Sequence, residues 1–94
     1  MKTNAENKRK LIFDEVGLRL LAQRLKQLRS EKKITQEELA YRSELTLSQI
    51  ARIETVKINP TVSTMFRIAK ALDVNITELF DFKSVIITPT LKGK

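Results

Sequence analysis

The stretch that decides the fold is Thr35-Gln36-Glu37-Glu38-Leu39-Ala40, a break at Ser43-Glu44-Leu45, and then Thr46-Leu47-Ser48-Gln49-Ile50-Ala51-Arg52-Ile53-Glu54. Thr35-x-x-Glu38 and Thr46-x-x-Gln49 share the capping-box pattern. In it a hydroxyl oxygen and a longer acid or amide side chain satisfy the backbone N–H groups left over at a helix start. Two short helices are therefore predicted, starting at Thr35 and at Thr46. So few residues separate them that they must cross at a steep angle. Leu39 and Ala40 face inward on the first helix, and the small Ala40 suits a place where another helix crosses closely. On the second, at about 100° per residue, Ile50 and Ile53 define the buried side, with Glu54 beside it. Ser48, Arg52 and Thr55 lie opposite, and Leu47, Gln49 and Ala51 sit on the shoulders.

Working outward, Leu18, Leu21, Leu25 and Leu28 recur at three- and four-residue steps and predict a helix from Leu18 to Lys32. Lys32-Lys33 suits the negative end of its dipole. Gly17 marks a weak point before it, since glycine costs about 1 kcal/mol inside a helix. Leu11 to Val16, apolar around Asp14-Glu15, predicts at most a turn or two of helix packed on the domain. On the other side, Asn59-Pro60 stops the chain and Thr61 caps a fourth helix, whose inward stripe reads Val62, Met65, Ile68, Ala69 and Leu72. Asn75-x-x-Glu78 opens a short fifth helix carrying Ile76, Leu79 and Phe80. Four capped starts in so short a span predict a compact all-α domain of five helices over residues 18–82. Residues 1–17 are left as an N-terminal arm or short extra helix. In the basic tail at 83–94, Val85-Ile86-Ile87-Thr88 before Pro89 favours a short extended segment.

Composition narrows the chemistry. The 94 residues suit one domain, and the formal net charge is +7, from 18 Lys and Arg against 11 Asp and Glu. Such an excess favours a polyanion partner, although a solvated surface accounts for the charge equally well. With no Cys and no His, disulfides, thiolate chemistry, the usual neutral-pH proton shuttle and the commonest metal ligand are all excluded. The acids sit at helix starts and ends, where dipole and capping roles suffice for them. No enzyme site, cofactor or metal is expected. No apolar run approaches the roughly 20 residues of a membrane span, and Asp14-Glu15 interrupts the apolar run behind Lys8-Arg9-Lys10, so no secretory signal is read. A cytoplasmic protein is expected.

The outward face of the second short helix suits the major groove of DNA. Arg52 can donate two hydrogen bonds to guanine O6 and N7, and Gln49 can pair with adenine N6 and N7. Ser48 is permissive, and Leu47 can touch a thymine methyl. The same residues would also keep a surface helix soluble. The paired helices and the basic charge together favour the groove.

Residues 18–82, about two-thirds of the chain, resemble the Cro/lambda-repressor-type (XRE-like) helix-turn-helix family. The resemblance is carried by Leu25-Lys26-Gln27-Leu28-Arg29, Ile34-Thr35-Gln36-Glu37-Glu38-Leu39-Ala40, Gln49-Ile50-Ala51-Arg52-Ile53-Glu54, Asn59-Pro60-Thr61, Ile68-Ala69-Lys70-Ala71-Leu72 and Ile76-Thr77-Glu78-Leu79-Phe80. No single piece is specific; their order and spacing are. The resemblance implies a lambda-repressor-like fold with the second and third helices as the DNA-reading pair. It implies that Gln36 caps helix two and holds a phosphate. It places Leu47, Ser48 and Arg52 on bases, Gln49 on base or backbone, and Thr46, Lys57 and Asn59 in the phosphate-contacting set. It also implies an ion pair between Arg29 on helix one and Glu54 at the end of helix three. The chain departs from the family at Lys33, Glu44, Val56 and Asp73, where glycine is common because the turns need positive φ. Val56, being β-branched, would be strained there.

The resulting expectation is a sequence-specific transcriptional regulator, most simply a repressor, acting on double-stranded DNA as a homodimer on a palindromic operator. Two alternatives stay open within the same chemistry. One is an antitoxin-type interaction module that neutralises a toxin partner through residues 11–16 and 85–88 while regulating its own operon. The other is a restriction–modification controller.

Overall fold

The structure is a computed structural model that describes residues 12–85. Those residues form five helices and no strand: α1 (Glu15–Lys32), α2 (Gln36–Ser43), α3 (Leu47–Glu54), α4 (Val62–Ala71) and α5 (Ile76–Leu79). The basic patch at Lys8-Arg9-Lys10 and all but Val85 of the expected extended segment lie outside the described residues.

Side-chain caps start the helices. Thr35, Thr46 and Thr61 each hold extended backbone and accept the N–H of the third helical residue through their hydroxyls. Thr46 and Gln49 form the full reciprocal box. At Thr35 only half of the expected box forms, because the Glu38 carboxylate turns along the helix to Arg42 (2.8 Å) instead of back to the cap. At Asn75 the reciprocal half is present, the Glu78 carboxylate accepting the Asn75 N–H at 2.8 Å.

The first helix begins three residues earlier than the expected Leu18, at Glu15. Asp14 is its cap, accepting the Gly17 N–H at 3.0 Å. Gly17 is thus a first-turn residue beneath its cap, not a break. A Cβ at Gly17 would stand 3.2 Å from the Asp14 carboxylate, so glycine lets the cap close in.

Four helices end in the same way, and none uses glycine. Lys33, Glu44, Val56 and Asp73 all adopt left-handed backbone, with φ of 58°, 60°, 59° and 59°. Each donates its N–H three residues back, and the following residue donates five back: Ile34 to Arg29, Leu45 to Ala40, Lys57 to Arg52 and Val74 to Ala69. These are Schellman closures. In three of them the following residue is apolar and packs on the core (Ile34, Leu45, Val74). That apolar anchor holds the left-handed turn that glycine would otherwise allow at no steric cost. After α3 the following residue is Lys57, which is exposed, so Val56 holds its strained conformation without the anchor. Val56→Gly is therefore expected to raise the unfolding free energy by about 1 kcal/mol. Relief of left-handed strain outweighs the added chain entropy and the lost half-buried methyls. A urea unfolding curve checks this, and a lower midpoint for the glycine variant would contradict it.

The core contains Leu21, Leu25, Leu28, Ile34, Leu39, Ala40, Ile50, Ile53, Met65, Ile68, Ala69, Leu72 and Leu79. Leu18 and Ile76 pack at its margin. One expected core position differs: Val62 is 69% exposed because it is the first residue of α4, ahead of the inward stripe. Phe80, expected on the fifth helix, stands just past its end and is 47% exposed. The central helix α3 packs on α1 and α2, α4 joins α2 to α5, and α5 closes back on α1.

Candidate nucleic-acid interface

The inner side of α3 fixes how its outer side is presented. Ile50 and Ile53 are buried, and so is Glu54, whose side chain is only 2% exposed. A carboxylate that deep must be paired and fully hydrogen-bonded. Arg29 of α1 supplies a two-pronged contact, Nε to Oε2 at 2.7 Å and Nη2 to Oε1 at 3.0 Å. Gln36 of α2 donates Nε2 to Oε1 at 2.8 Å. Arg29 also donates Nη1 to the Ile34 carbonyl at 2.9 Å. The hydrogen bonds to Glu54 raise the Arg29 pKa above its ordinary value, against the opposing effect of burial, and the carboxylate charge adds to the rise. Three helices therefore meet on one buried carboxylate at the end of α3.

This arrangement corrects one expectation. Gln36 does not cap helix two; Thr35 does. The Gln36 amide nitrogen is anchored on Glu54, which leaves one of its two hydrogens for an outside acceptor.

Leu47, Ser48, Gln49 and Arg52 are all exposed along the outward face of α3. Thr46 is exposed at its start, and Lys57 and Asn59 in the loop behind it. The Lys57 backbone closes α3, which leaves its ammonium group outside the helix-ending bonds. Asn59 has a use that its sequence position did not signal: Nδ2 donates to the Ile12 carbonyl at 3.2 Å, tying the start of the described chain to the loop after α3. Gln49 is likewise engaged, its Oε1 accepting the Thr46 N–H at 2.9 Å.

Two further braces escaped sequence reading. Arg67 of α4 donates Nη1 to the carbonyls of Ser43 and Glu44, both at 3.3 Å, so it holds the turn between α2 and α3. Ser43 is buried and donates Oγ to the Leu39 carbonyl at 2.7 Å. Neither contact has a local sequence signal. The Arg67 partners lie more than twenty residues away, and serine backbonding looks the same in a sequence as an exposed serine.

The helix-turn-helix family pattern matches residues 25–79, more than half of the chain, and the chain belongs to that family. It is 35% identical to the immunity repressor protein of Bacillus phage phi105 over 70% of its own length, and spans 46% of that repressor. It is 36% identical to the uncharacterized HTH-type transcriptional regulator y4dJ of Sinorhizobium fredii, covering 77% of this chain and 84% of the relative. Among solved structures it is similar to the restriction–modification controller protein C.AhdI from Aeromonas hydrophila, with a TM-score of 0.67 and 35% identity over 69% of this chain and 98% of the controller. The fold, the exposed face of α3 and these relatives define a DNA-binding transcriptional regulator. Among the described residues, no helix is long and apolar enough to cross a membrane.

Proposed function

We propose that this protein is a cytoplasmic, sequence-specific repressor that binds a palindromic operator as a homodimer. In this reading α3 lies in the major groove, with Leu47, Ser48, Gln49 and Arg52 on base edges. Gln36, Thr46, Lys57 and Asn59 meet phosphates on either side. The observation that carries it is the division of α3 into two faces. One is locked to α1 and α2 through Glu54; the other is polar and exposed. A helix held so firmly on one side can present its outer side chains at a constant angle to a groove. One reading helix covers too few bases to define a genomic site. Two-fold pairing doubles the site and places the half-sites about one helical turn apart.

Selection of bound duplexes from random DNA tests this, with a two-fold symmetric consensus as the expected result. Arg52→Ala is expected to relax preference at one base pair per half-site, with a loss of about 1–3 kcal/mol there. Unchanged affinity and unchanged preference for this variant would remove α3 from the groove.

The similarity to C.AhdI favours a restriction–modification controller as the second reading, and a neighbouring methyltransferase gene would support it. Recovery of no consensus at all would favour a toxin-neutralising interaction module. Ile12, Phe13 and Val16, all exposed, and half-buried Val85 would then be its apolar contacts among the described residues.

A further inference from the structure

Gln49 carries two duties that compete for one atom. Its Oε1 accepts the Thr46 backbone N–H at 2.9 Å, while its own N–H donates to Thr46 Oγ1 at 3.0 Å. A backbone N–H can be met by the amide oxygen but not by the amide NH2. The orientation of this side-chain end is therefore set by the cap, not by a choice between two similar atoms. The residue is exposed on the face assigned to the groove. Two-bond recognition of adenine requires Oε1 to accept from N6 while Nε2 donates to N7, with both atoms on one open edge. With one lone pair of the oxygen already holding the Thr46 N–H, a two-bond adenine contact would need that oxygen to serve the cap and N6 at once, whereas both Nε2 hydrogens are uncommitted.

We propose that Gln49 reads as a donor only. It selects a base that presents a hydrogen-bond acceptor in the major groove, guanine through O6 and N7 or thymine through O4, and not adenine as a pair of bonds. This rests on the reading that α3 enters the major groove, and it replaces the adenine contact expected from residue type alone. Leu47, Ser48 and Arg52 are under no such constraint, because the cap of α3 uses only Thr46 and Gln49.

The test compares the full-length wild type with Gln49→Glu by selection from random duplexes, followed by titration on the selected sites. Glutamate preserves the cap, since a carboxylate at this position accepts the same N–H; a melting curve matching wild type verifies that. It removes the outward donor. The expected result is guanine or thymine at one position of each half-site for wild type. On that site Gln49→Glu should bind about tenfold or more weakly, and its own selection should move to cytosine, whose N4 donates. The base selected tells guanine from thymine.

Wild-type protein on analogue duplexes addresses the same point without a substitution. If guanine is selected, 7-deazaguanine at that position is expected to weaken binding. Selection of adenine, lost when the base is replaced by a purine lacking the N6 amino group, would show that Oε1 accepts from the base as well, and would overturn the proposal. An equal loss for Gln49→Glu on all sequences, as repulsion of the new carboxylate by phosphates alone would give, would take Gln49 off the bases and overturn it too. So would an unchanged preference. Each of these leaves the groove assignment of α3 standing, whereas a wild-type selection without any consensus would overturn both.

Discussion

Arg29→Ala is expected to lower the unfolding free energy by about 3–5 kcal/mol. The reason is not the lost attraction but what remains: the Glu54 carboxylate, 2% exposed, keeps only the Gln36 amide as a side-chain partner. A domain of this size has roughly 5–15 kcal/mol in total, so this one change removes a large share of its stability. Replacing both partners by apolar residues of similar volume, as in Arg29→Met with Glu54→Leu, should recover most of the loss, because no buried charge is then orphaned. Urea unfolding followed by circular dichroism measures all three proteins. A loss below about 1 kcal/mol for Arg29→Ala would mean that water reaches Glu54, as at surface pairs. The pH sign is definite. Glu54 raises the Arg29 pKa, so the stability that this shift contributes is present at every pH below the ordinary arginine range. It is lost only in strong alkali, as pH rises through the folded-state value, and the shift adds no pH dependence near neutrality.

The second large effect is on binding. Operator affinity is expected to fall on the order of 10³- to 10⁵-fold between about 50 and 200 mM salt, if a dimer neutralises roughly 6–10 phosphates. The chain has the charge for this, with a net +7. Lys57→Ala should reduce the slope of log affinity against log salt by about one per protomer and weaken all sequences alike. Arg52→Ala should act on one base pair instead, which separates the phosphate role from the reading role. A Lys57→Ala slope equal to wild type would take that ammonium off the backbone. Filter binding or fluorescence anisotropy at a series of salt concentrations gives both slopes.

How much of this was legible in the sequence depends on how local the cause is. Helix starts were readable because a cap is a contact across three residues, and Thr35, Thr46 and Thr61 announce theirs. Asp14 is the exception, because Gly17 reads as a helix breaker, whereas in the first turn it admits the cap. Inward stripes were readable from periodicity, except at Val62, where the stripe begins one turn later than the helix. The helix ends were half readable. The absence of glycine at Lys33, Glu44, Val56 and Asp73 was plain, but the compensation lies in the next residue. An apolar side chain there, at Ile34, Leu45 and Val74, is the signal that glycine is dispensable.

At the candidate site the distinction is sharper. Outward exposure of Ser48, Gln49 and Arg52 follows from helical phase. The Arg29–Glu54 partnership came only through family resemblance, since no spacing rule joins residues 25 apart. Gln49 on Thr46 follows from the capping-box spacing, but what the other two amides are bonded to, Gln36 on Glu54 and Asn59 on Ile12, could not be read at all. An amide in a sequence advertises four bonding positions and says nothing of how many are taken.

The separation of duties along α3 bears on how such a protein could change its target. Leu47, Ser48 and Arg52 take no part in its cap or in the Glu54 pair. Substitutions there should alter stability by no more than about 0.5 kcal/mol, as at other exposed sites. Gln49 is different: if it reads a base as proposed, most replacements would weaken the helix start as they changed the base preference. A lineage drifting toward a new operator, or a designer seeking one, would thus find three positions open and a fourth restricted to residues that can also cap. The specificities within easy mutational reach are set by the architecture of the helix start as much as by the chemistry of the bases.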